Sequence, residues 1–361
     1  MSFISGAMSA GLLTGGQEII RMCESALEKK YGFANVMLTN SCTMALEMAA
    51  VLSDIQPGDE VIVPAYTYVS TANAFALRGA RIVFADSKTG HPDMDEEQLE
   101  ALITRNTKAI CVVHYAGIAC NMDVIKSIAR KHNLLVIEDA AQCIGSYYNG
   151  EALGNIGDIA CFSFHETKNI HCGEGGFMVV NNPALLERAQ VVRNKGTNRY
   201  DFQKGKVNKY EWVDIGFSSY PSAICAAFLH AQIEQIDNVR QKRLELWERY
   251  YRNLDTTDKR FELPVFPDYA YNNAHIFYIV CKDEQERNAL IAFLKEKEIH
   301  AVFHYQALHK SPYYSKNNSS LELPNAVRYS HCLVRFPLFY ELTLAEVDTI
   351  CKEVQSFFLT T

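Results

Sequence analysis

The chain has 361 residues, of which 48% are apolar and 21% charged, and its formal net charge is -7. That length can bury a large core, and the acidic balance argues against nucleic acid or an anionic membrane as the main partner. Eleven cysteines, odd in number, scattered and without a Cys-x-x-Cys pair, read as buried free thiols of a reducing compartment and offer no clustered zinc site.

The first sixteen residues are small and apolar, but the first cation is Arg21, so they read as mature protein rather than a signal peptide. No apolar run approaches a membrane span. A cytoplasmic location is expected. Helix–strand alternation then begins. The spacing predicts helices over 17–30, 43–52, 68–77, 95–103 and 122–132. It predicts strands over 34–39, 60–63, 81–85, 109–113, 134–138, 158–164 and 176–180. Strands that are apolar throughout are buried on both faces, which implies a mostly parallel sheet between helix layers. From Pro221 to about Asn253 one long helical region is expected. Proline-bearing loops follow, with a strand at 275–280 and helices at 284–296 and 345–358. This reads as a large domain, 1–230, and a smaller α+β domain, 231–361.

Four segments can carry chemistry. Lys168 follows the strand that ends at Ser163-Phe164, in His165-Glu166-Thr167-Lys168-Asn169, with Gly173-Glu174-Gly175-Gly176 next. A desolvated lysine there could attack a carbonyl, although a solvated loop lysine is the commoner case. Asp139, in Glu138-Asp139-Ala140-Ala141-Gln142, stands at the carboxyl end of a buried strand. It could hold a pyridinium nitrogen, a ribose hydroxyl or a metal, or merely cap a turn. Ser41-Cys42-Thr43 opens a helix, where free N–H groups suit a phosphate or a plain N-cap suffices. Arg193 to Tyr210 is locally basic, which suits a diphosphate or a solvated loop. His300, His304 and His309 share no helical face, so no metal site is expected there. No Gly-x-Gly-x-x-Gly or Walker lysine motif occurs, which weakens a nicotinamide dehydrogenase reading.

Together, these segments resemble the DegT/DnrJ/EryC1/StrS sugar aminotransferases, a branch of the fold-type I, aspartate-aminotransferase-like enzymes that use pyridoxal 5'-phosphate (PLP). The resemblance runs from about Gly11 to the C-terminus. It rests on Ser41-Cys42-Thr43, on Pro64-Ala65-Tyr66-Thr67-Tyr68 with Ser70-Thr71-Ala72-Asn73, on Glu138 to Gln142, and on Ser163 to Lys168 with Gly173 to Gly176. It implies an α/β fold with a seven-stranded, mostly parallel sheet and a smaller C-terminal domain. It further implies that Lys168 is the Schiff-base and proton-shuttling lysine. Asp139 pairs with the pyridinium nitrogen, Gln142 lies near the ring's phenolic oxygen, and Tyr68 stacks on the ring. Cys42, Thr43 and Ser163 hold the phosphate. The family's cross-subunit asparagine is here Ser218, in Ser218-Ser219-Tyr220.

Within the family, Gln56 to Val61, His165 to Asn169, Lys195 to Arg199 and Ala301 to Tyr305 resemble the branch that makes dTDP-4-amino-4,6-dideoxygalactose for enterobacterial common antigen. That likeness implies a dTDP-4-oxo-6-deoxyhexose substrate contacted by His165, Glu166, Arg199, His304 and Tyr305. It also implies glutamate as amino donor and a homodimer with active sites at the interface. The gluco epimer at C4 and amination at C3 stay open. A sugar dehydratase of the same fold would carry histidine in place of Lys168. A non-catalytic nucleotide-sugar sensor would not need Lys168, Asp139 and Gln142 together.

Overall fold

A computed structural model describes residues 2–9, 11, 13, 18–255, 260–316 and 320–360. Seven strands form one sheet. Across it lie Val36–Thr39, Gly176–Val180, Ile159–Ser163, Leu135–Asp139, Thr107–Val113, Glu60–Pro64 and Arg81–Ala85. Only Gly176–Val180 runs antiparallel to its neighbours. The carboxyl ends of the other six therefore share one edge.

Side chains alternate across the pleat. Val61, Val63, Ala109, Cys111 and Ile137 pack with Ala45, Leu46 and Ala49 of the helix Cys42–Leu52. Ile62, Ile110, Val112 and Val136 turn to the opposite face. There they meet Ile20, Cys23 and Leu27 of Glu18–Tyr31, Ile125 of Met122–His132, and Leu229 of Ala223–Glu234. Two apolar faces explain why the strands read as unbroken hydrophobic runs.

A three-stranded antiparallel sheet, Phe277–Val280, Leu333–Phe336 and Val302–Phe303, builds a third core with Ile236–Leu254, Glu284–Glu296 and Leu344–Thr360. Arg243 of Ile236–Leu254 is buried. Its Nε donates to the carbonyl of Ala274 (3.0 Å), Nη1 to Leu338 (3.0 Å) and Nη2 to His275 (2.6 Å). We propose that the domain division falls at Gln235. The expected boundary at 230/231 lies inside Ala223–Glu234.

Several expectations differ from the structure. Over 95–103 only a short 3-10 turn forms, Leu99–Leu102. Asp95 accepts from the Glu97 amide (3.1 Å) and Glu96 pairs with Lys88 (2.7 Å), so the acidic side chains hold a turn against helix. The helical region from 221 is two helices, Ala223–Glu234 and Ile236–Leu254, the first capped by Ser222. The strand Leu333–Phe336 lies in a stretch that proline content marks as loop, and Pro337 falls just after it. Helices Ser2–Ser9 and Pro324–Cys332 have no counterpart in the sequence reading. The expected start of the first helix, Gln17, lies outside the described residues.

Gly176 fixes how closely the helix Cys42–Leu52 approaches the sheet. A Cβ there would lie 2.5 Å from the Cys42 amide nitrogen and 2.6 Å from the Phe162 carbonyl oxygen, both backbone atoms. Gly176→Ala should destabilise the protein by about 1–3 kcal/mol, the usual range for overpacking. Urea unfolding checks this, and a wild-type midpoint would show that the close approach carries no cost.

Candidate active site

The shared edge of the six parallel strands carries a cavity of about 580 Å³. Such an edge is where open α/β sheets bind ligands. It is lined by Ser41, Cys42, Thr43, Tyr68, Asp139, Gln142, Ser163, His165, Lys168, His304 and Tyr305, among others. A larger recess of about 960 Å³ adjoins it, and Thr167, Lys168, His275 and Arg335 line both.

Asp139 ends its strand as a buried carboxylate. Oδ2 accepts from the Thr71 hydroxyl (2.7 Å) and Oδ1 from the Ala141 amide (3.2 Å). Burial raises its pKa above the usual carboxylate value, and the Thr71 and Ala141 hydrogen bonds oppose that rise. Thr71 is itself held by Thr67 (2.9 Å).

Its sequence neighbour points the other way. Glu138 is fully buried and accepts from His114 Nε2 (3.0 Å) and from the amides of Gly154 (2.9 Å), Ile156 (3.0 Å) and Gly157 (2.6 Å). Because His114 Nδ1 accepts from the Cys120 amide (3.1 Å), its ring proton sits on Nε2, facing Glu138. Burial alone would raise the Glu138 pKa, and these hydrogen bonds bring it below the usual value.

Lys168 is nearly enclosed, and burial lowers its pKa, with Arg335 contributing in the same direction. Among the described residues Nζ makes no hydrogen bond or ion pair. An unengaged amine whose pKa is lowered by burial suits attack on an aldehyde. Its surroundings are fastened by a chain of amides. Asn169 donates to the Asn273 carbonyl (2.9 Å), His275 meets Asn169 Oδ1 (2.9 Å), and Asn273 donates to the carbonyls of Gln142 (2.7 Å) and Ile144 (3.1 Å).

Gln142 accepts from the Ala116 amide (2.6 Å) and donates to the Tyr305 hydroxyl (2.9 Å). Tyr68, 57% exposed, caps the helix Val69–Ala76 at the cavity mouth, its ring centroid 6.1 Å from that of Tyr305. Ser41 caps Cys42–Leu52 by accepting from the Met44 amide (3.0 Å), which leaves the Cys42 and Thr43 amides on the cavity side. The Thr43 hydroxyl meets Ser70 (2.9 Å), and Ser163 Oγ accepts from the His165 amide (3.3 Å).

The remaining expected residues divide. His165, His304 and Tyr305 line the cavity, and Glu166 lines the adjoining recess. Arg199 opens the helix Arg199–Gln203 and lines neither. Ser218 is exposed and bridges Asn194, its carbonyl 3.5 Å from Asn40 Nδ2. Sequence reasoning missed Thr71, Asn273, His275 and Arg335. Thr71 lies in a quoted motif. The others lie far along the chain in segments with no motif that points to chemistry, and only the fold brings them here.

The cavity's parts fit PLP: an amine without a partner, a buried carboxylate without a cation, and free amides at a helix start. The chain matches the sequence model of the DegT/DnrJ/EryC1/StrS aminotransferase family over residues 2–355. It belongs to that family. Among solved structures, it is similar to Spr1654 of Streptococcus pneumoniae in the PMP form, at 25% identity and TM-score 0.92, over 99% of this chain and 96% of that one. An aminotransferase of the same family from Brucella abortus is 29% identical, covering 99% and 94% of the two chains, with TM-score 0.89. Helicobacter pylori PseC, an aminotransferase involved in pseudoaminic acid biosynthesis, is 26% identical over 100% and 96%, with TM-score 0.91. The chain is a sugar aminotransferase of that family, and it uses PLP. Among the described residues no helix is long and apolar enough to cross a membrane.

The depressed Lys168 pKa has a pH consequence. Only the free amine reacts with the aldehyde, and it dominates above the pKa. PLP capture by the apoprotein should therefore rise with pH and level off below the ordinary lysine value of 10.5. Stopped-flow absorbance against pH measures it, and a rate still climbing at 10.5 would contradict the desolvated setting.

Proposed function

We propose that this enzyme converts a dTDP-4-oxo-6-deoxyhexose, dTDP-4-keto-6-deoxyglucose, to the dTDP-4-amino-4,6-dideoxyhexose with glutamate as amino donor. The product would serve O-antigen or another cell-surface polysaccharide. The observation that carries the chemistry is Lys168 and Asp139 lining one cavity, each buried and each without a charged partner at hydrogen-bond distance among the described residues. The substrate class draws support from the family, from the likeness to an aminotransferase of pseudoaminic acid biosynthesis, and from the basic stretch around Arg199.

PLP, when bound, supplies an electron-withdrawing ring that stabilises negative charge on the carbon beside the transferred nitrogen. The chain's residues do the rest. Asp139, fixed by Thr71 and Ala141, holds a proton on the ring nitrogen by charge. Gln142 would lie beside the ring's phenolic oxygen and Tyr68 would cover a ring face. The Cys42 and Thr43 amides and the Ser163 hydroxyl would receive the phosphate. The Lys168 amine removes a proton from one carbon and returns it to another, which its depressed pKa favours. His165 and Tyr305 line the cavity and Glu166 the adjoining recess, where they would meet a sugar.

Arg199 and Ser218 stand apart from the cavity of their own chain, as residues that serve a second subunit would. Nearby, Tyr210, Trp212 and Val213 are exposed, Trp212 by 80%. These features support a homodimer in which each chain completes its partner's site.

Incubation with dTDP-4-keto-6-deoxyglucose and glutamate should yield a 4-amino sugar and 2-oxoglutarate. NMR then assigns an axial (galacto) or equatorial (gluco) C4 amine. No turnover, or an amine at C3, would remove the proposal. Lys168→Ala should still bind PLP, release it on dialysis after borohydride treatment, and lose transamination beyond detection. Ordinary turnover by that variant would overturn the role of Lys168.

A further inference from the structure

Lys168 Nζ is not the only nitrogen of the cavity that lacks a partner. The ring of His275 lines both the cavity and the adjoining recess, as Lys168 does, and its Nε2 makes no hydrogen bond among the described residues. The other two imidazoles of the cavity are engaged at both nitrogens. His304 meets the Tyr115 hydroxyl through Nδ1 (2.7 Å) and Arg335 Nη1 through Nε2 (3.5 Å). His165 meets Thr167 through Nδ1 (3.1 Å) and Glu174 through Nε2 (3.7 Å).

The tautomer of His275 follows from its neighbours. The Asn273 carbonyl accepts from Asn169 Nδ2 (2.9 Å), so Asn169 turns its Oδ1 to the imidazole. An amide oxygen only accepts, and His275 Nδ1 therefore carries the ring proton (2.9 Å). Nε2 is then a bare lone pair. Burial, and after it the Lys168, Arg243 and Arg335 cations with His304, pull the His275 pKa well below the ordinary histidine value, so the ring is neutral. Its direction is enforced. Ala274, buried just before it, has φ 52°, a left-handed conformation that side chains disfavour and that persists only where the surroundings impose it. Arg243 holds the carbonyls of Ala274 (3.0 Å) and His275 (2.6 Å), and Asn273 Oδ1 accepts from the His275 amide (3.0 Å).

We propose that His275 Nε2 accepts a hydrogen bond from the Lys168 amine while that amine carries its proton, which makes His275 a positioning residue for the lysine. This rests on the proton-carrying role of Lys168. Charge selects the kind of partner such an amine can use. A carboxylate would pair with the ammonium and take away the base. A cation would repel it. A neutral acceptor takes one N–H, fixes where the nitrogen lone pair points, and leaves the amine free to gain and lose a proton. The lysine stem is flexible and the imidazole is fixed, so the imidazole sets the direction. No proton passes to His275, and each one removed from carbon stays on Lys168 until it is returned.

The test follows single turnovers of the PLP-loaded enzyme by absorbance, with glutamate for one half-reaction and the keto sugar for the other. His275→Leu removes the acceptor. His275→Asn keeps a donor for Asn169 but has nothing at the place of Nε2, and it keeps the test open if His275→Leu disturbs folding. His275→Gln puts an amide oxygen near that place. His275→Leu and His275→Asn should slow both half-reactions by the same factor, between about tenfold and a hundredfold, the worth of a hydrogen bond to a charged group. The slowed step should show a deuterium isotope effect with 2-deuteroglutamate, and His275→Gln should recover most of the rate. PLP capture by the apoprotein adds a readout that packing alone would not move. An acceptor favours the ammonium, so without it the free amine prevails from a lower pH. The capture midpoint should shift to lower pH in His275→Leu and His275→Asn and stay near the wild-type value in His275→Gln. A loss confined to the keto-sugar half-reaction would make Nε2 a contact for a sugar hydroxyl and overturn the proposal. So would a loss without an isotope effect, an unmoved midpoint, or His275→Gln as slow as His275→Leu. The glutamate half-reaction needs no sugar, so these outcomes stand whatever the sugar is. Ordinary turnover by Lys168→Ala would instead remove the role of Lys168, and this proposal with it.

Discussion

Everything in the site depends on a carboxylate that has been taken out of water without being given a cation. Asp139 is held by a threonine hydroxyl and a backbone amide, both neutral donors, and burial raises its pKa. Desolvation of this kind is costly unless a positive charge arrives. A protonated ring nitrogen is such a charge. Lys168, likewise desolvated, is pushed toward its neutral amine. The two groups do not neutralise each other by direct contact. Both line the same cavity.

Holding a desolvated charge demands a rigid strand, and Glu138 supplies the rigidity. Consecutive residues of a strand face opposite sides. Glu138 therefore points away from the cavity and collects three amides and the His114 ring, which ties the strand Leu135–Asp139 to the loop at 154–157. Adjacent carboxyl groups thus have pKa values shifted in opposite directions by environment alone. One is satisfied and structural, and the other is left in want of a cation.

The large sheet and the sequence-local part of the site were legible because their signals are local. Buried parallel strands are apolar almost throughout; Asp139 and Ser163 end such strands, and Lys168 follows one within a few residues. Ser41 reads as a helix cap from its immediate neighbours, and caps Cys42–Leu52 as expected. Legibility fails where partners are distant in sequence. Thr71 matters because it meets Asp139, 68 residues on. Tyr115 matters because it meets His304, 189 residues on. The acidic run near Asp95 misleads for a related reason, since its side chains spend their hydrogen-bonding capacity on backbone and Lys88, which pattern and propensity do not register.

Arg335 shows the same limit from the other side. Nothing in Leu333-Val334-Arg335-Phe336 marks the arginine as special, and a proline after it suggests a loop. The small sheet turns it inward. Valine and phenylalanine on either side pack into the third core, and the pleat sends Arg335 to the opposite face, toward Lys168. His275 and His304 line the same cavity, and burial together with the neighbouring cations lowers the pKa of both, so Arg335 is the permanent cation among them.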